Sequence, residues 1–178
     1  MICMNKIIPL MVMLLLGTSL GIAQSRPDNK MNNCHRWRSQ VDPALQRVLI
    51  DQKTLTDGEI EEGIGCLLKL KGLKNKARFY GGTKNNYNKS EGYKYPEKPA
   101  TVDIAALYYA SYLFYNNWEH ASSVVLYEEA TGKINTGKIV NKAFETYQKW
   151  YEKVLAIGLK AAREKKLDPL EGSGISWS

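Results

Sequence analysis

ATVDIAALYYASYLFYNNW, residues 100–118, decides the fold class. Read as a helix, it places Ile104, Ala105, Leu107, Tyr108, Tyr109, Tyr112, Leu113, Phe114 and Tyr115 on nearly every side. A helix that is apolar all round belongs at the buried centre of a domain. Polar residues interrupt it too often for a membrane span. A second helix is predicted from about Glu119 to Ala130, turning Ala121, Val124 and Val125 inward.

Further along the chain, Thr131 to Gly137 reads as a turn, and Thr136 can cap a long helix from about Lys138 to Lys166. Val140, Phe144, Tyr147, Tyr151, Val154, Gly158 and Ala161 recur there at spacings of three and four, with charge on the opposite face. Asp168-Pro169 stops that helix, because a residue before proline avoids the α region. In the tail, Ile175 and Trp177 are expected to fold back onto the core.

Upstream, Thr56-Asp57-Gly58-Glu59 is a capping box, followed by Ile60, Ile64, Leu67, Leu68 and Leu70 at helical spacing until Gly72. Asp42-Pro43 is expected to open a short partner helix through Ala44, Leu45, Val48 and Leu49, and a short helical piece is expected around Lys74 to Tyr80. The predicted class is all-α: five or six helices in antiparallel hairpins, arranged as an orthogonal bundle or a short α-α superhelix. Residues 1–23 are assigned to a signal peptide, 24–41 to a flexible leader, and 42–178 to one helical domain with a long loop at 81–99.

The signal peptide rests on Lys6, the apolar run Ile7 to Leu16, and the small pair Gly21 and Ala23 ahead of a cut before Gln24. The apolar run is too short to span a bilayer, so no transmembrane anchor is expected after cleavage. Removing residues 1–23 takes away Lys6 and no acidic residue, which lowers the net charge from +7 to +6. A charge of that size suits contact with anionic envelope polymers or acidic partners, and equally serves solubility. Export to the periplasm or beyond makes a bond between Cys34 and Cys66 the expected state of the two mature cysteines.

Two family resemblances follow from these patterns. The hairpin ending in Gly-Cys-Leu-Leu-Lys-Leu-Lys-Gly, residues 65–72, resembles one unit of a HEAT-type helical repeat, which implies stacked helical hairpins. The stretch Thr101 to His120, with Asp168-Pro169-Leu170 and the Gly172-Ser173-Gly174 tail, is similar to secreted bacterial helical proteins of unassigned function. Neither resemblance implies any chemistry.

Two further motifs match in spelling only. Gly17-Thr18-Ser19-Leu20-Gly21 spells a nucleophile elbow inside the signal peptide. Gly132 to Lys138 has the spacing of a phosphate loop, but Ile139 stands where a Ser or Thr must bind magnesium. Cys34, His35, Cys66 and His120 sum to four zinc ligands, yet adjacent ligands at 34 and 35 suit one tetrahedral ion poorly. No metal, no cofactor and no nucleotide are therefore expected.

Two places could carry function. From Tyr80 to Lys98, Tyr87, Tyr93 and Tyr95 alternate with Lys84, Lys89 and Lys94, a pattern that can grip a protein or an anionic envelope component. Nucleic acid fits least, outside the cell. On the aromatic helix, Tyr108, Tyr112, Tyr115 and Glu119 share one stripe, with His120 beside them. They read either as a glycan-binding face with Glu119 as acid, or as a buried tyrosine layer. The expected function is an exported, non-catalytic binding module using Tyr87, Tyr93, Lys94, Tyr95, Tyr108 and Tyr112; the alternative is a small envelope glycan hydrolase using Glu119 and His120.

Overall fold

A computed structural model describes residues 29–80, 99–117 and 124–178. The helices are α1 (Asn29–Val41), α2 (Asp57–Leu68), α3 (Val102–Tyr115), α4 (Gly137–Ile157) and α5 (Leu159–Glu164). The strands are β1 (Lys76–Tyr80), β2 (Pro99–Thr101), β3 (Leu126–Glu128) and β4 (Ile175–Trp177).

The stretch that reads as the centre is the centre. Every residue of α3 from Val102 to Phe114 is buried. Around it lie α1, α2, α4, α5 and the β1–β2 sheet. A helix with no solvent face must find partners inside the protein for its polar side chains. Asp103, in its first turn, is fully buried and meets Lys74 Nζ at 2.5 Å. The Thr101 hydroxyl and the Ile104 N–H donate to the other carboxylate oxygen, Oδ1. At the far end, Arg163 on α5 donates from Nε to Phe114 O at 2.6 Å and from Nη2 to Leu113 O at 2.9 Å, satisfying carbonyls that the helix itself leaves open. Asn116 then ends α3 in the left-handed conformation, φ 53°.

The all-α expectation holds only in its coarser form. The described residues are mostly helical, but they also form two antiparallel two-stranded sheets, β1–β2 and β3–β4. The piece expected to be helical around residues 74–80 is β1, and the end of the helix expected over 119–130 is β3. These strands are three to five residues long, too short for alternation to show against the helical pattern. The β3–β4 pair is the means by which the tail packs back, with Leu126 opposite Trp177 and Glu128 opposite Ile175.

At the N-terminal side the expected flexible leader is instead α1 from residue 29 onward, and its Trp37 and Val41 are fully buried. Asp42-Pro43 closes this helix and opens no new one. Arg38 Nε and Nη2 donate to Asp42 Oδ2 at 3.0 and 2.8 Å, and Oδ1 takes the Ala44 N–H at 3.0 Å in an Asx turn. The capping box at Thr56 and Glu59 forms as the residues dictate and starts α2. Cys34 on α1 and Cys66 on α2 are joined by a disulfide across a Cα separation of 5.2 Å.

The long C-terminal helix is two helices. Gly158, with φ 83° and ψ 151°, breaks it in a region of backbone space open almost only to glycine. The break is stabilised from α2, where Glu61 Oε1 accepts the Leu159 N–H at 2.9 Å. Tyr151 also donates to Glu61 O at 2.8 Å.

Two substitutions test this packing. A Cβ at Gly63 would fall 2.8–2.9 Å from three ring carbons of buried Trp37, whereas a Cβ at Gly58 would meet nothing within 4 Å. Gly63→Ala is expected to lower stability by about 1–3 kcal/mol, and Gly58→Ala to leave it equal or raise it by up to about 1 kcal/mol, measured by urea unfolding. Equal effects at the two sites would refute the close α1–α2 approach. Serine at both Cys34 and Cys66, which lie 32 residues apart, is expected to cost about 3.5 kcal/mol in the same assay.

Candidate functional site

Beyond the C-terminal end of α3 lies a cleft of about 440 Å³. Four parts of the chain build it. α3 and the residues after it supply Ser111, Tyr115 and Asn117; α4 supplies Tyr147; the turn after α5 supplies Asp168, Pro169 and Leu170; β4 supplies Ile175, Ser176 and Trp177. A volume of this size suits a small organic ligand or one long side chain.

The wall of the cleft is a chain of three hydrogen-bonding side chains. Trp177 Nε1 donates to Tyr147 Oη at 2.9 Å, and Tyr147 Oη also pairs with Ser111 Oγ. An indole N–H can only donate, which fixes the direction of the Trp177–Tyr147 bond. Ser111 and Tyr147 are fully buried, while Trp177 is half-buried and lies edge-on to Tyr108 with ring centroids 5.4 Å apart. The α4 face thus carries a tyrosine in the core because its hydroxyl has partners there.

Burial pushes the Tyr147 phenol well above the usual tyrosine range, the hydrogen bonds with Ser111 and Trp177 pull it part of the way back, and the charge of Asp168 adds to the rise. Tyr115, which is 40% exposed, is raised first by burial and then by Asp168. At neutral pH both phenols keep their protons, so neither is a base. Asp168 is the one carboxylate on the cleft wall, and its Oδ1 accepts the Leu170 N–H at 2.8 Å. A hydrolytic pair of carboxylates is not assembled by these lining residues.

Of the six binding residues expected from sequence, two are described. Tyr108 and Tyr112 are 7% and 8% exposed, a tyrosine layer inside the core, and Tyr108 reaches the cleft region through its contact with Trp177. Tyr87, Tyr93, Lys94 and Tyr95 lie outside the described residues, as do Glu119 and His120. The flanks of residues 81–98 are placed: β1 and β2 pair with Tyr80 opposite Pro99. That sheet adjoins the N-terminal end of α3, whereas the cleft lies at the other end. From Thr101 at the end of β2 to Ser111 on the cleft wall the helix rises roughly 15 Å at 1.5 Å per residue. The disulfide joins the Cys34 and Cys66 sulfurs to each other, which leaves neither as a thiolate ligand for the zinc set considered above.

From sequence, Tyr147 and Trp177 read as packing residues and Asp168 as a helix stop. A tyrosine on an apolar stripe and a tryptophan near the C-terminus both carry a polar tip that needs a partner when buried, and that requirement was the available signal. No protein-family model matches the chain, and no curated protein or solved structure matches it.

Tyr147→Phe is expected to cost about 1–3 kcal/mol, because Trp177 Nε1 and Ser111 Oγ each lose a partner. The raised phenol also sets a sign at high pH. Stability from Tyr147 is complete below the unfolded tyrosine value of about 10 and falls as pH rises through it, since only the unfolded chain releases the proton. The loss of urea stability between about pH 9 and 11 should therefore be shallower in Tyr147→Phe. An equal slope in both proteins would contradict a protonated, buried Tyr147.

Proposed function

We propose that this chain is an exported, non-catalytic binding module that engages a protein partner at the cleft beyond α3. The observation that carries this reading is the composition of the cleft wall. Its buried hydroxyls are occupied by one another, its phenols stay protonated at neutral pH, and among the described lining residues Asp168 is the one carboxylate. Such a surface offers shape, aromatic area and one charge, which serve recognition and supply no nucleophile with a base. Export is part of the proposal and rests on the leader sequence, with the Cys34–Cys66 bond in keeping with an oxidising compartment. Among the described residues no helix is long and apolar enough to cross a membrane.

The Tyr/Lys segment is a second contact in this proposal, reaching the same protein or an anionic envelope component from the β1–β2 end of α3. Chemical crosslinking of the purified protein in an envelope extract tests both contacts. Alanine at Tyr115 and Asn117 together is expected to abolish the crosslinked species while the circular dichroism stays unchanged. Alanine at Tyr93, Lys94 and Tyr95 together is expected to weaken it. A wild-type pattern from both variants would refute the binding reading, and clearing of envelope glycan by the wild type but not by Glu119→Gln would replace it with hydrolysis. Export is checked separately by mass spectrometry of protein recovered outside the cytoplasm, whose expected first residue is Gln24.

A further inference from the structure

The cleft has a charge opposite to that of the molecule around it. The chain carries a net charge of +7, yet among the described residues lining the cleft there is one acidic side chain, Asp168, and no lysine or arginine. We propose that the cleft is a seat for an alkylammonium group, held between the Asp168 carboxylate and the aromatic rings of Tyr115 and Trp177. This deepens the binding reading above and rests on it by naming the chemistry that the cleft receives.

Three observations favour a cation over a neutral ligand. First, the carboxylate is fixed and has no internal counter-ion: Oδ1 takes the Leu170 N–H at 2.8 Å, and among the described residues no lysine or arginine nitrogen lies within 4.0 Å of it. Second, Tyr115 and Trp177 bring two π-systems to the same cleft, and an ammonium beside an aromatic face gains about 0.5–2 kcal/mol, depending on its desolvation. Third, the deeper polar groups Ser111, Tyr147 and Trp177 are engaged with one another and are not presented to the hydroxyls of a sugar. The field agrees with the geometry: Asp168 acts on both Tyr115 and Tyr147. The cleft, at about 440 Å³, has room for a four-carbon stem behind the charge.

Such a group comes either from a free amine or from a lysine side chain of the protein partner. The test follows the indole N–H resonance of Trp177 in the full chain during titration with n-butylammonium, with N-acetyl-lysine N-methylamide, and with the neutral norleucine analogue. Both cations are expected to shift the resonance at millimolar concentration, and the norleucine analogue to leave it in place. A lysine amide at least threefold tighter than butylammonium assigns the site to a peptide side chain; equal or weaker binding assigns it to a free amine. Asp168→Asn keeps an oxygen for the Leu170 N–H and removes only the charge, so it is expected to weaken both cations at least tenfold without unfolding the chain.

Equal shifts from the norleucine analogue or from a neutral disaccharide would overturn the proposal. So would wild-type affinity in Asp168→Asn, or no shift from either cation up to about 50 mM. Loss of ammonium binding with crosslinking retained overturns only the ligand class, whereas ammonium binding without crosslinking overturns only the protein-partner reading.

Discussion

The rest of this structure depends on a helix that has no surface of its own. With Val102 to Phe114 all buried, α3 cannot leave a polar group to water, and each one draws another part of the chain inward. Asp103 draws Lys74 and Thr101, which places the β1–β2 sheet at one end. Ser111 draws Tyr147, and Tyr147 draws Trp177, which ties α4 and the C-terminal strand to the other end. The last carbonyls of α3 draw Arg163 from α5. The cleft is a by-product of these demands: four segments converge on the end of α3, and Asn116 turns the chain away through a left-handed residue.

The remaining helices stay in place by close approach rather than by bulk. Trp37 rests on Gly63, and Tyr151 rests on Gly65, where a Cβ would come within 2.6 Å of the phenol oxygen. Gly63 and Gly65 of α2 are thus docking points for α1 and α4, and the Cys34–Cys66 bond joins α1 to α2. Glu61 completes the arrangement by capping α5. The cleft is walled by the same frame: one central helix, a second long helix and a strand held by hydrogen bonds. Tyr80 and Pro99, which flank the Tyr/Lys segment, pair in the sheet at the opposite end of α3 from the cleft.

Some of this was legible in the residues alone, wherever the physics is local. An all-round apolar run has to be buried, so 100–118 declared the centre of the fold. Thr56 and Glu59 are three residues apart, and the capping box they form needs nothing from the rest of the chain. The pairing of Cys34 with Cys66 was to be expected from their number and from the export that the leader sequence predicts. What the residues could not disclose depends on neighbours distant in sequence. Asp42-Pro43 has the chemistry of a helix start, and only Arg38, one turn earlier on an existing helix, makes it an end. Gly158 sits on an apolar stripe and reads as continuing helix, until Glu61 from α2 offers its carboxylate to the broken turn.

The same division governs the candidate site. By itself the sequence determined the buried aromatic helix, the basic charge and the presence of a tyrosine and a tryptophan that would need polar partners if buried. Only the tertiary structure decided that Ser111, Tyr147 and Trp177 satisfy one another, and that Asp168, otherwise a helix stop, faces the same cleft. The reason is physical: periodicity reports which face of an element is buried, but the partners of the polar groups in this site are set by contacts across 30 and 36 residues of chain, and no local pattern encodes them.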